Sequence, residues 1–285
     1  MALAGAAAGA VLLVITWYVV HNVAAVRQAD ATILGGFIHL HSYRLNRLTH
    51  FVANLCDPVP YVLFAPVPVL VALLRGRPRV AVALALVLLG ANETTEILKP
   101  LLGGARDPVP GLPVLGRSWP SGHATASMSL ALCAVIAAPS RLRPLVSALM
   151  AAFAVAVCYS FLELGWHYPS DVLGGFLVAS SWTLLAVAAL WTYEAHRPAL
   201  ARAAQRAPTF TIGEALAPPV TLLAAGLACA AIVTLARPHE VLGYARGHLT
   251  FVVGAAAIAA LSFALASGLN LLLRSGWGRD RTRAN

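Results

Sequence analysis

Apolar residues run along this chain in long, nearly unbroken stretches separated by short polar breaks. Eight such stretches stand out, at residues 3–26, 51–74, 80–98, 120–138, 144–164, 170–193, 215–236 and 249–273. Most reach the ~20 residues that a helix needs to cross a ~30 Å hydrocarbon core. None shows the strict alternation of a membrane β-barrel strand. The pattern therefore predicts an all-α fold, a polytopic membrane helix bundle of about eight transmembrane helices.

The interruptions are informative too. Between the first two stretches, apolar residues are mixed with His39, His41, Arg44, Arg47 and His50, the pattern of a segment lying on the membrane surface. His39 and His41 form an HxH pair, read as interfacial polar residues in the absence of a third ligand nearby in sequence. Asp57, Pro58 and Pro60 should loosen or kink the start of the second stretch. The third ends with Asn92, Glu93, Glu96 and Lys99, close enough to the interface for the carboxylates to pair with Lys99 or Arg106. The stretch at 2–20 has no basic residue ahead of it and is long, so a retained first helix is expected rather than a cleaved signal.

Composition agrees with this picture: 59% of the 285 residues are hydrophobic and 11% charged. The net charge of +9 comes almost wholly from arginine, Lys99 being the single lysine. No basic stretch is interleaved with aromatics, so no nucleic-acid partner is expected; the arginines sit between apolar runs and report topology instead. Placing the N-terminus inside puts the arginines at 75–79, 141–143, 197–206 and 274–283 on the cytoplasmic face, twelve of the 20 basic residues. Lys99, Arg106 and Arg117 then lie on the minority, outer side. Cys56, Cys133, Cys158 and Cys229 all fall in apolar stretches without a CxxC pair and read as small core residues.

Two polar blocks flank the fourth and fifth stretches. WPSGHATAS, residues 119–127, places Ser121, Gly122 and His123 where an apolar helix begins. GWHYPSD, residues 165–171, places His167 four residues before Asp171, a spacing at which a carboxylate can orient an imidazole. Two membrane crossings between them bring both blocks to one outer face, together with Lys99 and Arg106. Unpaired N–H groups at a helix start favour an anion, and glycine lets the backbone approach it. Cationic side chains can neutralise a phosphoryl group while two imidazoles serve its in-line positions as nucleophile and acid. Taken one at a time, Ser121 could simply cap a helix, His123 could be interfacial and Asp171 could sit at a helix start; their convergence points to chemistry.

These residues resemble the type 2 phosphatidic acid phosphatase family, related to vanadium haloperoxidases. Its first block, Lys, six residues, Arg and Pro, is matched by Lys99 and Arg106, with Asp107 preceding Pro108. Pro-Ser-Gly-His is intact from Pro120 to His123, and Ser160, His167 and Asp171 match the third block in register. The third block's arginine is replaced by Phe161. The resemblance covers roughly residues 50–193 and implies His167 as nucleophile through a phosphohistidine, Asp171 as its partner and His123 as general acid. It implies phosphate binding by Lys99, Arg106, Ser121 and Gly122, with no metal and no cofactor. The implied substrate is a lipid monophosphate or diphosphate of the phosphatidic acid, phosphatidylglycerophosphate or polyprenyl diphosphate class, met in the bilayer.

A charge-assisted hydrogen bond contributes about 1.5–3 kcal/mol, so Phe161 leaves several outcomes open. Arg117 could stand in, the substrate or phosphoryl acceptor could differ, as in a phosphotransferase acting on a lipid or sugar alcohol, or the protein could bind lipid phosphate without catalysis. The expected organisation is a six-span phosphatase-like core at 1–193, a basic cytoplasmic linker at 194–214, two further spans at 215–273 and a basic cytoplasmic tail at 274–285. Small-residue faces in the last two spans are a candidate surface for a homo-oligomer. Alanine and arginine richness with one lysine suggests a bacterial plasma membrane, with both termini cytoplasmic and the site on the outer face.

Overall fold

In the computed structural model, which describes residues 1–103, 117–196 and 211–276, the apolar stretches become helices and no strand occurs among the described residues. In chain order these are α1 (Ala2–Asn22), α2 (Ala24–His39), α3 (Asn46–Asn54), α4 (Pro58–Phe64), α5 (Pro66–Leu74) and α6 (Pro78–Leu102). They continue as α7 (Gly122–Ala137), α8 (Arg143–Glu163), α9 (Pro169–Ala195), α10 (Ile212–Ala236), α11 (Pro238–Gly247) and α12 (Leu249–Gly276). Six of the described helices are long and apolar enough to cross a membrane, and α3 with α4 and α5 makes a further span bent by 62°. With the shorter apolar α7, the molecule is an all-α polytopic membrane bundle.

α7 is its axis: thirteen of its 16 residues are buried, among them Met128, Leu132, Val135 and Ile136, against α6, α8, α9 and α12. A helix this apolar on every side belongs in the middle of a bundle. Polar side chains tie it to its neighbours. Thr125 Oγ1 lies 2.9 Å from Thr95 Oγ1 of α6. Tyr61 OH of α4 lies 3.2 Å from Ser129 Oγ and accepts from Asn92 Nδ2 at 3.0 Å. Asn92 thus takes part in a structural network within the membrane.

The ends of the helices sort cleanly. Trp17 Nε1, near the end of α1, donates to Leu102 O at the end of α6 at 2.7 Å, so those ends share one side with the start of α7. On the opposite side, Arg75 donates to Ala137 O and Arg77 to Ile136 O, closing the C-terminus of α7, while Arg79 lies 4.4 Å from the centroid of the Tyr193 ring. Guanidinium groups there satisfy carbonyls left over at the helix end and oppose the negative end of its dipole.

Two features depart from simple spans. The first apolar stretch breaks at Val23, and α2 then lies across the ends of α8, α9 and α12. Its Phe37 packs on Tyr159 and Phe251 at 5.2 and 4.9 Å between ring centroids, and Tyr244 OH donates to Gly36 O. The second stretch breaks at residues 55–57, just before Pro58. α10 and α12 pack on the outside of α8: Ser262 Oγ donates to Ala151 O at 3.0 Å and Tyr159 OH to Ala255 O at 2.6 Å. Leu227, Ile232 and Leu235 of α10 are exposed, as lipid-facing residues would be.

α9 approaches the start of α7 through Gly174 and Gly175. A Cβ on Gly175 would sit 2.7 Å from Ser121 O and 2.8 Å from Thr125 N, both backbone atoms unable to yield. Gly175→Ala should therefore destabilise the bundle by about 1–3 kcal/mol, as overpacking of a tight core does. The check is thermal unfolding in detergent against Gly268→Ala, whose added Cβ meets nothing within 4 Å and should leave the midpoint in place.

Candidate functional site

The site lies where α6 ends and α7 and α9 begin. Ser121 is the N-cap of α7, its hydroxyl accepting from Ala124 N at 3.2 Å, and its backbone N–H donates to Asp171 O at 3.0 Å. That last bond joins the two polar blocks directly. Ser121 is fully buried, so its hydroxyl hydrogen is the one polar element it can still offer a ligand. The N–H groups of Gly122 and His123 open the helix and have no partner in its own ladder.

His167 precedes α9 and is buried against it. Its Nδ1 lies 3.3 Å from Asp171 Oδ2, which also accepts from Tyr168 N at 2.9 Å, while Asp171 N donates back to Tyr168 O. Asp171 is fully buried and fixed by the turn that starts α9. With Nδ1 given to the carboxylate, Nε2 of His167 is the nitrogen left to face a reacting atom. A further carboxylate braces this turn from α2: Asp30 Oδ1 accepts from Ser170 N at 2.9 Å and its Oδ2 from Ser170 Oγ at 2.5 Å.

His123 stands on the first turn of α7 with its ring centroid 6.0 Å from that of His167 and the two ring planes at 63°. Its Nε2 lies 2.8 Å from Asp57 Oδ1, a carboxylate carried by the break between α3 and α4. Phe161, fully buried near the end of α8, packs against both imidazoles, 5.7 Å from His123 and 5.2 Å from His167 between centroids. Trp166 closes the side of His123 at 5.5 Å and touches His50 at 5.9 Å. The pair of histidines thus stands on an apolar wall.

Lys99, on the last turn of α6, reaches over the start of α7. A Cβ on Gly122 would lie 3.2 Å from its Nζ and 3.3 Å from Glu96 Oε1, so glycine here leaves the cation room beside the helix N-terminus. Lys99 Nζ is paired with Glu96 Oε1 at 2.5 Å. Lys99, Ser121, Gly122, His123, His167 and Asp171 are accordingly brought to one end of the bundle. Arg106 lies outside the described residues, and Arg117 is exposed.

Other sequence candidates part company. His39 bonds to Gly35 O and faces His248, whereas His41 Nδ1 lies 3.2 Å from Glu163 Oε1, so the HxH imidazoles do not converge. Glu163 also accepts from Thr49 Oγ1 at 3.3 Å. Cys56, Cys133 and Cys158 are buried thiols and Cys229 is exposed on α10. Asp57 is the residue that motif spacing missed, since 66 positions separate it from His123. The signal that was available is an ionisable residue in an apolar stretch directly ahead of a proline.

No curated protein matches the chain. Among solved structures it is similar to the crystal structure of a transmembrane PAP2-type phosphatidylglycerolphosphate phosphatase from Bacillus subtilis, at 23% identity and a TM-score of 0.53. That similarity covers 64% of this chain and 94% of the other. Residues 79–195, which hold α6 to α9 and both histidines, match the PAP2 superfamily.

Proposed function

We propose that the protein is a membrane phosphohydrolase acting on a lipid monophosphate or diphosphate through a phosphohistidine. The observation that carries this reading is the convergence of two carboxylate-held imidazoles, 6.0 Å apart, at the start of a helix covered by Lys99.

In the proposed reaction, the phosphoryl oxygens lie at the N–H groups of Gly122 and His123, the Ser121 hydroxyl and the Lys99 ammonium, with Arg106 as a further cation. The helix N–H groups and the Ser121 cap are fixed before the substrate arrives, which is how charge developing in the transition state is stabilised at low reorganisation cost. The lone pair on His167 Nε2 forms the N–P bond as the bond from phosphorus to the lipid oxygen breaks. His123 gives its proton to that oxygen, which leaves as an alcohol or, from a diphosphate, as a phosphate monoester. Asp171 holds His167 Nδ1–H and stabilises the positive charge the ring gains. Water then attacks phosphorus, its proton passes to His123, the N–P bond breaks and inorganic phosphate departs. Side-chain cations and helix N–H groups carry the charge that a divalent metal carries in other phosphoryl-transfer sites, so chelators should leave turnover intact.

Burial of Phe161 beside both imidazoles gives the missing arginine a physical meaning. The phosphate has one cation fewer, and the rings are oriented by packing instead. Phosphatidic acid, phosphatidylglycerophosphate and polyprenyl diphosphate all meet the remaining requirements, a terminal phosphoryl group and a lipid anchor. The arginines that close the opposite end of α7 support a site end on the outer face of a bacterial plasma membrane.

The test is phosphate release from those three lipids by the purified protein. Wild type should release phosphate from at least one of them. His167→Ala should lose about 10³-fold or more and His123→Ala about 10²–10⁴-fold, the range of a general acid, with no loss in EDTA. Equal release by wild type and His167→Ala would refute the reaction. Topology is checked separately by cysteine accessibility in intact cells, in a background with the native cysteines replaced. Arg117→Cys should react with a membrane-impermeant maleimide while Arg141→Cys stays protected until the cells are opened.

A further inference from the structure

Asp57 has no part in the sequence motifs, yet it makes the 2.8 Å contact to His123, closer than the 3.3 Å contact between His167 and Asp171. Its position follows from the broken second span. Pro58 at the first position of α4 cannot donate a backbone hydrogen bond, the chain turns by 62°, and Asp57 becomes the residue before the new helix with extended backbone. The carboxylate is thereby turned toward α7. An ionisable residue at this depth is costly without a partner, and the imidazole of His123 is that partner.

Each histidine thus has its own carboxylate, supplied from a different part of the chain. Asp171 is fully buried and bound to backbone as well as to His167, which suits a group that fixes one tautomer of a nucleophile. Asp57 is half-exposed and is bonded to His123. Among the described residues, the charged or titratable groups facing that imidazole are Asp57, His167 and Lys99. Asp57 is the one carboxylate of these, and it bonds the ring directly.

We infer that Asp57 is the positioning residue of the general acid, bonding Nε2–H of His123 so that the ring is held with its Nδ1 edge toward the departing lipid oxygen. This rests on the phosphohydrolase reading. In the step concerned, the His123 Nδ1–H proton moves to the oxygen as the P–O bond breaks, and Asp57 keeps its own hydrogen bond throughout.

An acid matters in proportion to how poorly the leaving group departs. The experiment therefore compares kcat/KM, which reports formation of the phosphohistidine, for phosphatidic acid and for p-nitrophenyl phosphate, in wild type, Asp57→Asn, Asp57→Glu and His167→Ala. Asp57→Asn should lower kcat/KM for phosphatidic acid by about 10- to 100-fold, part of the ~10²–10⁴ of a general acid, and for the aryl phosphate by less than about threefold. Asp57→Glu should recover much of the loss, and retained aryl phosphatase activity shows that the variant folds. A loss of equal size on both substrates would make Asp57 a structural tie and overturn the inference, as would no loss on either. Equal activity of His167→Ala and wild type would instead refute the underlying reaction, and the role of Asp57 with it.

Discussion

The close approach of α9 to the first turn of α7 is the contact on which the site depends. Gly174 and Gly175 remove two side chains from the crossing, and the backbone of Ser121 then reaches Asp171 O at 3.0 Å. One hydrogen bond between main chains registers Pro-Ser-Gly-His against His-x-x-x-Asp. Other elements hold that register from outside. Asp30 of α2 fixes Ser170, Trp17 of α1 holds the end of α6, and His21 lies 6.2 Å from Trp119 at the entry to α7. At the far end, Arg75 and Arg77 close α7 on the opposite side of the bundle. A buried helix fixed at both ends has little freedom to rotate its two functional residues away from their partners.

Within that frame the charge balance is tight. Phe161 packs against both imidazoles, and Lys99 already shares its charge with Glu96. In the proposed reaction a phosphate beside Gly122 competes with the Glu96 carboxylate for the ammonium. Glu96 is well exposed, so screening weakens its hold and a dianion can win the contest. The apolar wall works in the other direction. By excluding water from one side of both rings, it lowers the local dielectric and makes each remaining donor more effective.

The hydropathy pattern read the bundle well, because length and composition of apolar runs are physical requirements of the bilayer. The spacing of Lys99, Pro120 to His123 and His167 to Asp171 anticipated that these residues gather at one end of the bundle, because short-range spacing on helices decides which residues share an end. What escaped was the path of the chain where hydropathy is mixed. The segment after Val23 was legible as interfacial by its polar residues, yet nothing in it announced that Asp30 would reach Ser170. Asp57 was legible as a kink through its prolines and illegible as a partner for His123, since that contact depends on how two broken half-helices turn in space. Local pattern carries the identity of a kink, and tertiary packing decides what the kinked residue touches.

The length of α7 adds one consequence for how substrate is met. Sixteen residues at 1.5 Å per residue span about 24 Å, some 6 Å less than a typical hydrocarbon core of ~30 Å. Arg75 and Arg77 hold the C-terminal end at the opposite surface, where guanidinium groups can remain hydrated. The N-terminal end nevertheless stays level with the end of α6 and the start of α9, because Lys99 lies beside Gly122 and Ser121 N bonds Asp171 O. In the proposed reaction a lipid phosphate brings to this end an anchor that already lies in the membrane, whereas a soluble phosphate ester has no buried chain to offset the desolvation of its phosphoryl group.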